Sequence, residues 1–402
     1  MKTRWVLLLA ACGAAAALVV GLVVTQPWAA PVSLVGPTDT AVSAAEAART
    51  VAGSQVRTVP LTAAPATVTA GGRQVDTWAF NQQVPGPQIQ ATVGDTIRAE
   101  VTNNLPQPLT VHWHGIAIRN DMDGVPNQTQ EPIPVGGTFT YEFTVAHEGS
   151  YFYHSHVGVQ MDRGLYGALI VAPREQAATR DVVMLLDDWT DGVGKSPDQL
   201  LAERQPSTAS GHMGGMNHES NSGMGGMGGM DHGALDRANP LGTDTVDIDY
   251  PMYLINGKGS GEPSVVDIAA GESVRLRLIN AAAGTPFRVA SGGGPMTVVA
   301  TDGYAVVPVL ADSLIVGMGE RYDVLVTAPA TGALPIVAQV EGKSAQVMSV
   351  LRVGGASLPK AIPEVAGLSK APLSLSQLRA TEAASLKARP ADVDYKVTLN
   401  GG

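Results

Sequence analysis

The sequence predicts an all-β protein made of tandem sandwich-like or barrel-like domains, and three observations support this fold class. Only 15% of the 402 residues are charged, and runs of charge that favour helices are absent. The 46 glycines and 27 prolines suit short strands separated by many turns. Runs rich in Val, Ile, Thr and aromatic residues alternate with Gly, Pro, Asn and Asp, as they do in sandwiches and barrels.

Length, charge and cysteine content limit the domain count and the class of partner. A chain of 402 residues accommodates two or three domains of ordinary size. The formal net charge is −10 and no basic stripe offsets it, which argues against a nucleic-acid partner. Cys12 is the single cysteine, so the chain cannot form an intramolecular disulfide.

The amino terminus has the composition of an export or membrane segment. A basic start is followed by nineteen uncharged, mostly apolar residues from Val6 to Val24. That run is long for the core of a signal peptide and close to the length that spans a bilayer. We predict a signal peptide or a retained membrane anchor over residues 1–30 and a tether over 31–54. The rest of the chain is then exported to the cell envelope or the exterior. Lipidation at Cys12 is an open alternative, because Leu9–Cys12 resembles a lipobox.

The first β-domain is predicted over residues 55–175, and it contains two His-X-His motifs near the ends of strands. These motifs are VHWHG at 111–115 and YHSH at 153–156. Residues i and i+2 of a strand point to the same face, so the two histidines of each motif project together. If the two strands lie side by side, four imidazoles converge on one small volume.

Histidine is scarce, with 8 residues in the chain, and half of them lie in these two motifs. Imidazole binds copper, zinc, iron and nickel. Ordinary hydrogen-bonded histidines of a β-domain are the alternative interpretation. We predict a metal site, and the residue pattern alone leaves the metal open. The predicted ligands are His112, His114, His154 and His156.

A linker is predicted over residues 176–245, with one strand at 181–190 and a low-complexity tract at 211–233. Glycine at the density of this tract cannot support a regular element or a core, so we predict disorder there. Exposed methionine is unusual, and its thioether is a soft ligand that selects Cu(I). A flexible insert of drifted composition is the alternative. The predicted accessory copper ligands are Met213, Met216, Met224, Met227, Met230, His212, His218 and His232.

A second β-domain is predicted over residues 246–355. It contains no histidine, so it cannot build a histidine-based metal site, and we expect it to be structural. Arg321 is expected to be one of its structural arginines. Residues 356–392 read as a linker rich in Pro, Ala, Ser and Leu, and 393–402 as one strand that ends at a turn and has no strand partner.

The two His-X-His motifs and their surroundings resemble the first two copper motifs of the multicopper oxidases, which include laccases and copper-resistance oxidases. The resemblance covers roughly residues 55–402 and implies tandem cupredoxin-like Greek-key β-sandwiches or barrels. The further matching segments are Asn81–Pro87, Gly94-Asp95, Asn103–Leu105 and Gly149–Tyr153 in the first domain, and Leu254–Gly257, Leu276–Asn280 and Gly319–Val324 in the second.

The resemblance also implies roles for single residues. His112 is similar to a type 2 copper ligand, and the other three motif histidines are similar to type 3 ligands. Together they would hold half of a three-copper cluster that reduces oxygen to water. Asp123 matches the family's proton-relaying acid, although an ordinary turn aspartate before glycine is the alternative. The Met-rich tract resembles the inserts of copper-tolerance oxidases.

The chain departs from the family pattern after its second motif. The third motif, HxxHxH, and the fourth, HCH, are absent, and no histidine follows His232. A type 1 copper needs a cysteine thiolate, and Cys12 lies in the apolar amino-terminal run. Half of the cluster ligands and the whole type 1 site are therefore missing from this sequence.

Three interpretations follow. The favoured one is the amino-terminal part of a three-domain oxidase that oxidises Cu(I), phenols or similar small reductants with O2; the resemblance then implies that 393–402 begin a truncated third cupredoxin domain. The second is a non-catalytic exported protein that binds or sequesters copper or serves as a scaffold. The third is a site completed across a subunit interface, but a homo-oligomer cannot supply a cysteine ligand that its own sequence lacks.

Overall fold

The computed structural model describes residues 36, 38–175, 179–204, 240–242, 245, 248–387 and 396–397. The predicted amino-terminal segment 1–30 lies outside the described residues. So does the Met- and His-rich tract 211–233, with all of its candidate ligands, and so does 393–402 except 396–397. Within the described ranges, no helix combines the length and the apolar character needed to cross a membrane.

The described residues confirm the all-β prediction. A short helix, α1 (Thr40–Ala47), lies within the segment predicted as a tether. A second helix, α2 (Pro197–Arg204), follows the strand that ends at Trp189, after a short turn. The first domain consists of β1 (Val56–Ala70), β2 (Arg73–Phe80), β3 (Ile89–Thr92), β4 (Thr96–Asn103), β5 (Val111–His114), β6 (Thr138–Thr144), β7 (Gly149–Ser155) and β8 (Tyr166–Ala172).

The second domain begins with β9 (Arg180–Trp189), which pairs with strands on both sides although its sequence lies in the predicted linker. Its other strands are β10 (Met252–Ile255), β11 (Ser264–Ile268), β12 (Ser273–Asn280), β13 (Phe287–Ser291), β14 (Met296–Thr301), β15 (Tyr304–Ala311), β16 (Leu314–Val316), β17 (Arg321–Thr327), β18 (Gly332–Val340) and β19 (Gln346–Val353).

Each domain is a sandwich of two sheets. The first domain pairs a sheet of order β2-β1-β4-β6 with a sheet of order β3-β8-β7-β5. The second pairs β10-β9-β12-β17-β14-β15 with β11-β19-β18-β13-β16. Apolar residues alternate with polar ones along strands such as β4. The buried apolar residues of the two sheets of the first domain pack against each other in one core. The first core includes Trp113 and Phe143, which are fully buried.

The β3-β8-β7-β5 sheet is covered on both faces, because the second domain packs on its outer side. Phe152 and Tyr166 of this sheet form a buried cluster with Leu185 and Ile279 of the second domain. All seven residues of β7 are consequently buried, the pattern of a strand enclosed by protein on both sides. The strand that carries His154 therefore lies at the junction of the two domains.

The segment that the sequence suggests as a linker, 356–392, contacts the second domain where it is described. Val365 and Leu368 are buried against Ala290 and Val337. Its short 3-10 turns are Ala366–Ser369, Leu375–Gln377 and Glu382–Ala384.

Candidate metal centre

The two histidine motifs lie on neighbouring antiparallel strands. β5 pairs with β7 so that His112 stands directly opposite His154 and His114 stands opposite Phe152. Trp113 points the other way and packs in the first core, with its ring 4.9 Å from that of Phe143. Alternation along β5 thus separates the core-facing indole from the two histidines.

The four imidazole rings form one cluster. The ring centroid of His112 lies 5.7 Å from that of His114, 5.3 Å from that of His154 and 5.4 Å from that of His156. His112, His114 and His154 each offer one ligand atom, and these atoms lie within 4.8 Å of one another. His156 is exposed and falls outside that group of three. The spacing and chemistry of the three nitrogens fit a transition-metal ion.

Two of the imidazoles are held by backbone carbonyls. Nδ1 of His112 lies 2.7 Å from the carbonyl oxygen of Asp123, and Nδ1 of His154 lies 2.8 Å from that of Ser155. A carbonyl oxygen only accepts, so Nδ1 carries the proton and donates in both rings. Nε2 of each ring is then free to bind a metal, which is how metal-binding histidines are usually oriented. Nε2 of His154 faces Nδ1 of His114 at 3.4 Å.

Burial keeps the imidazoles of His114 and His154 neutral. The pKa of His114 is lowered to about 3, mainly by burial, with smaller contributions from the neighbouring His154 and the Arg321 guanidinium. Burial likewise lowers the pKa of His154 to about 4, although its hydrogen bond to Ser155 opposes the shift. Neutral imidazole is the form that ligates metals.

Asp123 lies beside His112 in a turn that is packed against β5. Its carboxylate oxygen Oδ1 is 3.5 Å from Nδ1 of His112, and the side chain is 33% exposed. The next residue, Gly124, has φ of +77°, and a Cβ there would lie 2.5 Å from the carbonyl carbon of Val111. Glycine is therefore required for this turn to approach the strand.

Both β-domains match sequence models of a known protein family. Sequence models described as multicopper oxidase match residues 62–176 and 180–356, which are the two β-domains. The chain belongs to the multicopper oxidase family. The predicted resemblance is thereby confirmed, and membership implies copper as the cofactor.

Two curated relatives illustrate the match. Multicopper oxidase MmcO of Mycobacterium tuberculosis is 45% identical over 322 residues, which are 79% of this chain and 61% of the relative. Copper resistance protein A of Escherichia coli is 35% identical over 282 residues, which are 68% of this chain and 46% of the relative. The chain thus spans between about half and three fifths of the length of these relatives.

Solved multicopper oxidase structures share the fold. The multi-copper oxidase from Pseudomonas thermotolerans superposes with a TM-score of 0.57 at 25% identity, over 78% of this chain and 68% of that one. The blue copper oxidase from Nitrosomonas europaea gives 0.57 at 26% identity, over 82% of this chain and 98% of that one. The two domains are therefore cupredoxin-like, as predicted.

Several contacts of this histidine cluster were not predicted from the sequence. Phe152 stacks on His114, with ring centroids 4.4 Å apart and an interplanar angle of 23°. Gly115 and Gly319 allow close contacts between the domains, and Arg321 lies over Gly115. The motif that contains Arg321 was visible in the sequence, but its position against a histidine strand of the other domain was not.

Proposed function

We propose that this chain binds copper through His112, His114, His154 and His156, and that these residues are half of the ligand set of an oxygen-reducing copper cluster. His112 takes the part of the type 2 ligand, and the other three take the part of type 3 ligands. The observation that carries the proposal is the convergence of three ligand nitrogens within 4.8 Å on two paired strands.

Copper is proposed over zinc or iron because of the family to which the chain belongs. The same histidines alone would suit several ions. Copper, when bound, supplies the one-electron redox chemistry by which such an oxidase couples a reductant to O2. An oxidase with the complete ligand set would take Cu(I), phenols or similar small molecules as its reductants.

The protein groups around the ring cluster support that chemistry in three ways. The carbonyls of Asp123 and Ser155 fix the rings of His112 and His154. Enclosure of β7 by both domains excludes water from one side of the cluster. The partly exposed carboxylate of Asp123, 3.5 Å from Nδ1 of His112, can pass a proton between solvent and the site.

The type 1 copper site is not proposed for this chain. It requires a thiolate beside histidines, and the single cysteine is Cys12. We propose that the 402 residues bind copper without oxidising phenols by themselves, because nothing in the sequence provides the port through which electrons enter. Export, with residues 1–30 as signal or anchor, and accessory copper binding by the tract 211–233 belong to the same proposal.

The test is copper binding by the full chain and by matched histidine variants. His114→Ala is expected to lose copper at the cluster, because it removes one of three converging ligands. His147→Ala is the control, since His147 is exposed and outside the ligand group. Equal copper content in the parent, His114→Ala and His147→Ala would refute the ligand assignment. Oxygen uptake with a phenol by the copper-loaded chain would instead refute the inactive half-site.

A further inference from the structure

Residues 246–355 of the second domain contain no histidine, yet they contact His114 directly. Gly319 lies in the loop between β16 and β17, with φ of +79°. A Cβ on Gly319 would lie 2.8 Å from Cε1 and 3.0 Å from Nε2 of His114. Phe152 of the first domain stacks on the same ring. The imidazole is therefore held between a side chain of its own domain and a backbone loop of the other.

A second close approach runs beside the first. Gly115, which follows His114, has φ of +84°, and a Cβ there would lie 2.6 Å from Cζ of Arg321. The guanidinium thus occupies space that any other residue at 115 would fill. Each domain contributes one glycine, and each glycine makes room for a functional group of the other domain.

Arg321 connects this loop to the second histidine strand. It is 5% exposed. Its Nε donates to the carbonyl oxygen of Ser150 on β7 at 3.0 Å, and its Nη1 donates to that of Gly319 at 2.9 Å. Asp302 Oδ1 lies 2.8 Å from Nη1 and balances the charge. The Arg321 side chain therefore connects, by hydrogen bonds, the loop that contacts His114 with the beginning of β7, the strand that carries His154.

Ser150 receives a further link from the second domain. Nη1 of Arg277 donates to Oγ of Ser150 at 3.0 Å and to Asp323 Oδ2 at 3.0 Å. Arg277 and Ser150 are each 1% exposed. Buried, charge-assisted hydrogen bonds of this kind fix geometry more strictly than apolar packing does. The apolar contacts of Phe152 and Tyr166 with Leu185 and Ile279 already join the domains.

We propose that Gly319 and Arg321 of the second domain are positioning residues for His114, so that the copper affinity of the first domain depends on the second. This inference rests on the proposed copper-binding function. The loop fixes the edge of the ring that carries Cε1 and Nε2, which leaves Nδ1 directed toward His154. A displaced loop would let the ring rotate, and Nδ1 of His114 would turn away from the ligand nitrogens of His112 and His154.

The test compares two glycine variants of the full chain. Gly319→Ala introduces a methyl group against the His114 ring. Gly271→Ala is the matched control, because Gly271 has φ of +70° in the same domain and nothing within 4 Å of its Cβ position. Both variants carry similar backbone strain. Only Gly319→Ala is expected to weaken Cu(II) binding, by about tenfold or more, as loss of a ligand-orienting contact does.

The readouts are Cu(II) affinity by competition with a chelator, the Cu(II) electron paramagnetic resonance spectrum, and the melting temperature of the metal-free protein. We expect Gly319→Ala to change all three, and Gly271→Ala to change only the melting temperature. Equal affinity and equal spectra in the two variants would overturn the positioning role. In metal-free protein, the ring signals of His114 are expected to shift in Gly319→Ala while those of exposed His147 stay in place.

A second pair of variants covers the case in which Gly319→Ala does not fold. Arg321→Lys keeps the charge but loses the hydrogen bonds to Ser150 and Gly319. Its control is Arg352→Lys, which alters an exposed ion pair with Asp267 in the same domain. Arg321→Lys alone is expected to bind copper more weakly.

The outcomes separate the two proposals. If the parent binds no copper at the cluster, the proposed function fails and the positioning role fails with it. If the parent and both controls bind copper, and Gly319→Ala and Arg321→Lys bind it equally tightly, only the positioning role fails.

Discussion

His112 and His154 stand directly opposite each other on antiparallel strands, with ring centroids 5.3 Å apart. Directly opposed residues of such strands share a face of the sheet. The register of β5 and β7 therefore brings the two His-X-His motifs together without any loop rearrangement. Both rings donate Nδ1–H to a carbonyl, so both present Nε2. A rigid sheet, and not a flexible loop, sets the distance between these two ligands.

The turn at Asp123 and Gly124 is expected to be necessary for the orientation of His112. Gly124→Ala would place a Cβ against the backbone of Val111 and His112 at a φ of +77°. We expect a destabilisation of about 1–3 kcal/mol from strain and weaker copper binding, because the Asp123 carbonyl moves away from His112. Urea unfolding and copper competition measure the two effects.

The control for this variant is Gly136→Ala. Gly136 has φ of +74° in the same domain, with nothing within 4 Å of its Cβ position. It is expected to lose some stability and to keep parental copper affinity. Parental affinity in Gly124→Ala as well would show that the turn does not orient His112.

The carboxylate of Asp123 is expected to be dispensable for copper binding. Its carbonyl oxygen lies 2.7 Å from Nδ1 of His112, whereas Oδ1 of the carboxylate lies 3.5 Å away. Asp123→Asn leaves the carbonyl in place, so copper affinity should stay within a few-fold of the parent. Copper loss in Asp123→Asn, measured by metal analysis after dialysis, would mean that the carboxylate itself holds the site.

Asp162 is expected to make stability fall as pH rises. The pKa of this carboxyl is raised from 3.8 to about 7, mainly by burial; the nearby Asp188 acts in the same direction and Arg163 opposes the shift. Between about pH 4 and pH 7 the folded protein keeps the proton and the unfolded chain does not, so the contribution of the group to stability decreases as pH rises.

Asp162→Asn removes this titration. The melting temperature of the variant, relative to that of the parent, is therefore expected to rise between pH 5 and pH 8. The measurement is a series of thermal melts of both proteins in matched buffers. A relative melting temperature that falls over this range would contradict the assignment.

The Met- and His-rich tract 211–233 is expected to bind copper without supporting the fold. Its thioethers favour Cu(I), and glycine at the density of this tract cannot support a regular element or a core. Deletion of 211–233 should lower the total Cu(I) bound and leave the melting temperature unchanged. A large fall in melting temperature would identify the tract as structural.

Much of the fold and the identity of the cluster follow from local sequence. The period-2 alternation of a strand places His112 and His114 on one face of β5 and Trp113 on the other. The short apolar runs likewise predict most strands of both domains. Such patterns need only the residues of one segment, so they can be read before any tertiary contact is known.

The remaining features depend on contacts between distant segments. The sequence shows that β9 is a strand, but not that it runs parallel to β12 in the second domain. It shows that Arg321 follows Gly319, but not that both meet the motif at His114. These contacts arise from the packing of the two domains against each other, which the strand propensity of a single segment does not predict.

The central claim is that copper binds where the two His-X-His motifs meet. The most direct measurement is anomalous diffraction at the copper absorption edge from crystals of the copper-loaded chain. We predict a peak within bonding distance of His112, His114 and His154, and none in the second domain. A chain that takes up copper but shows no peak at these three residues would contradict this claim.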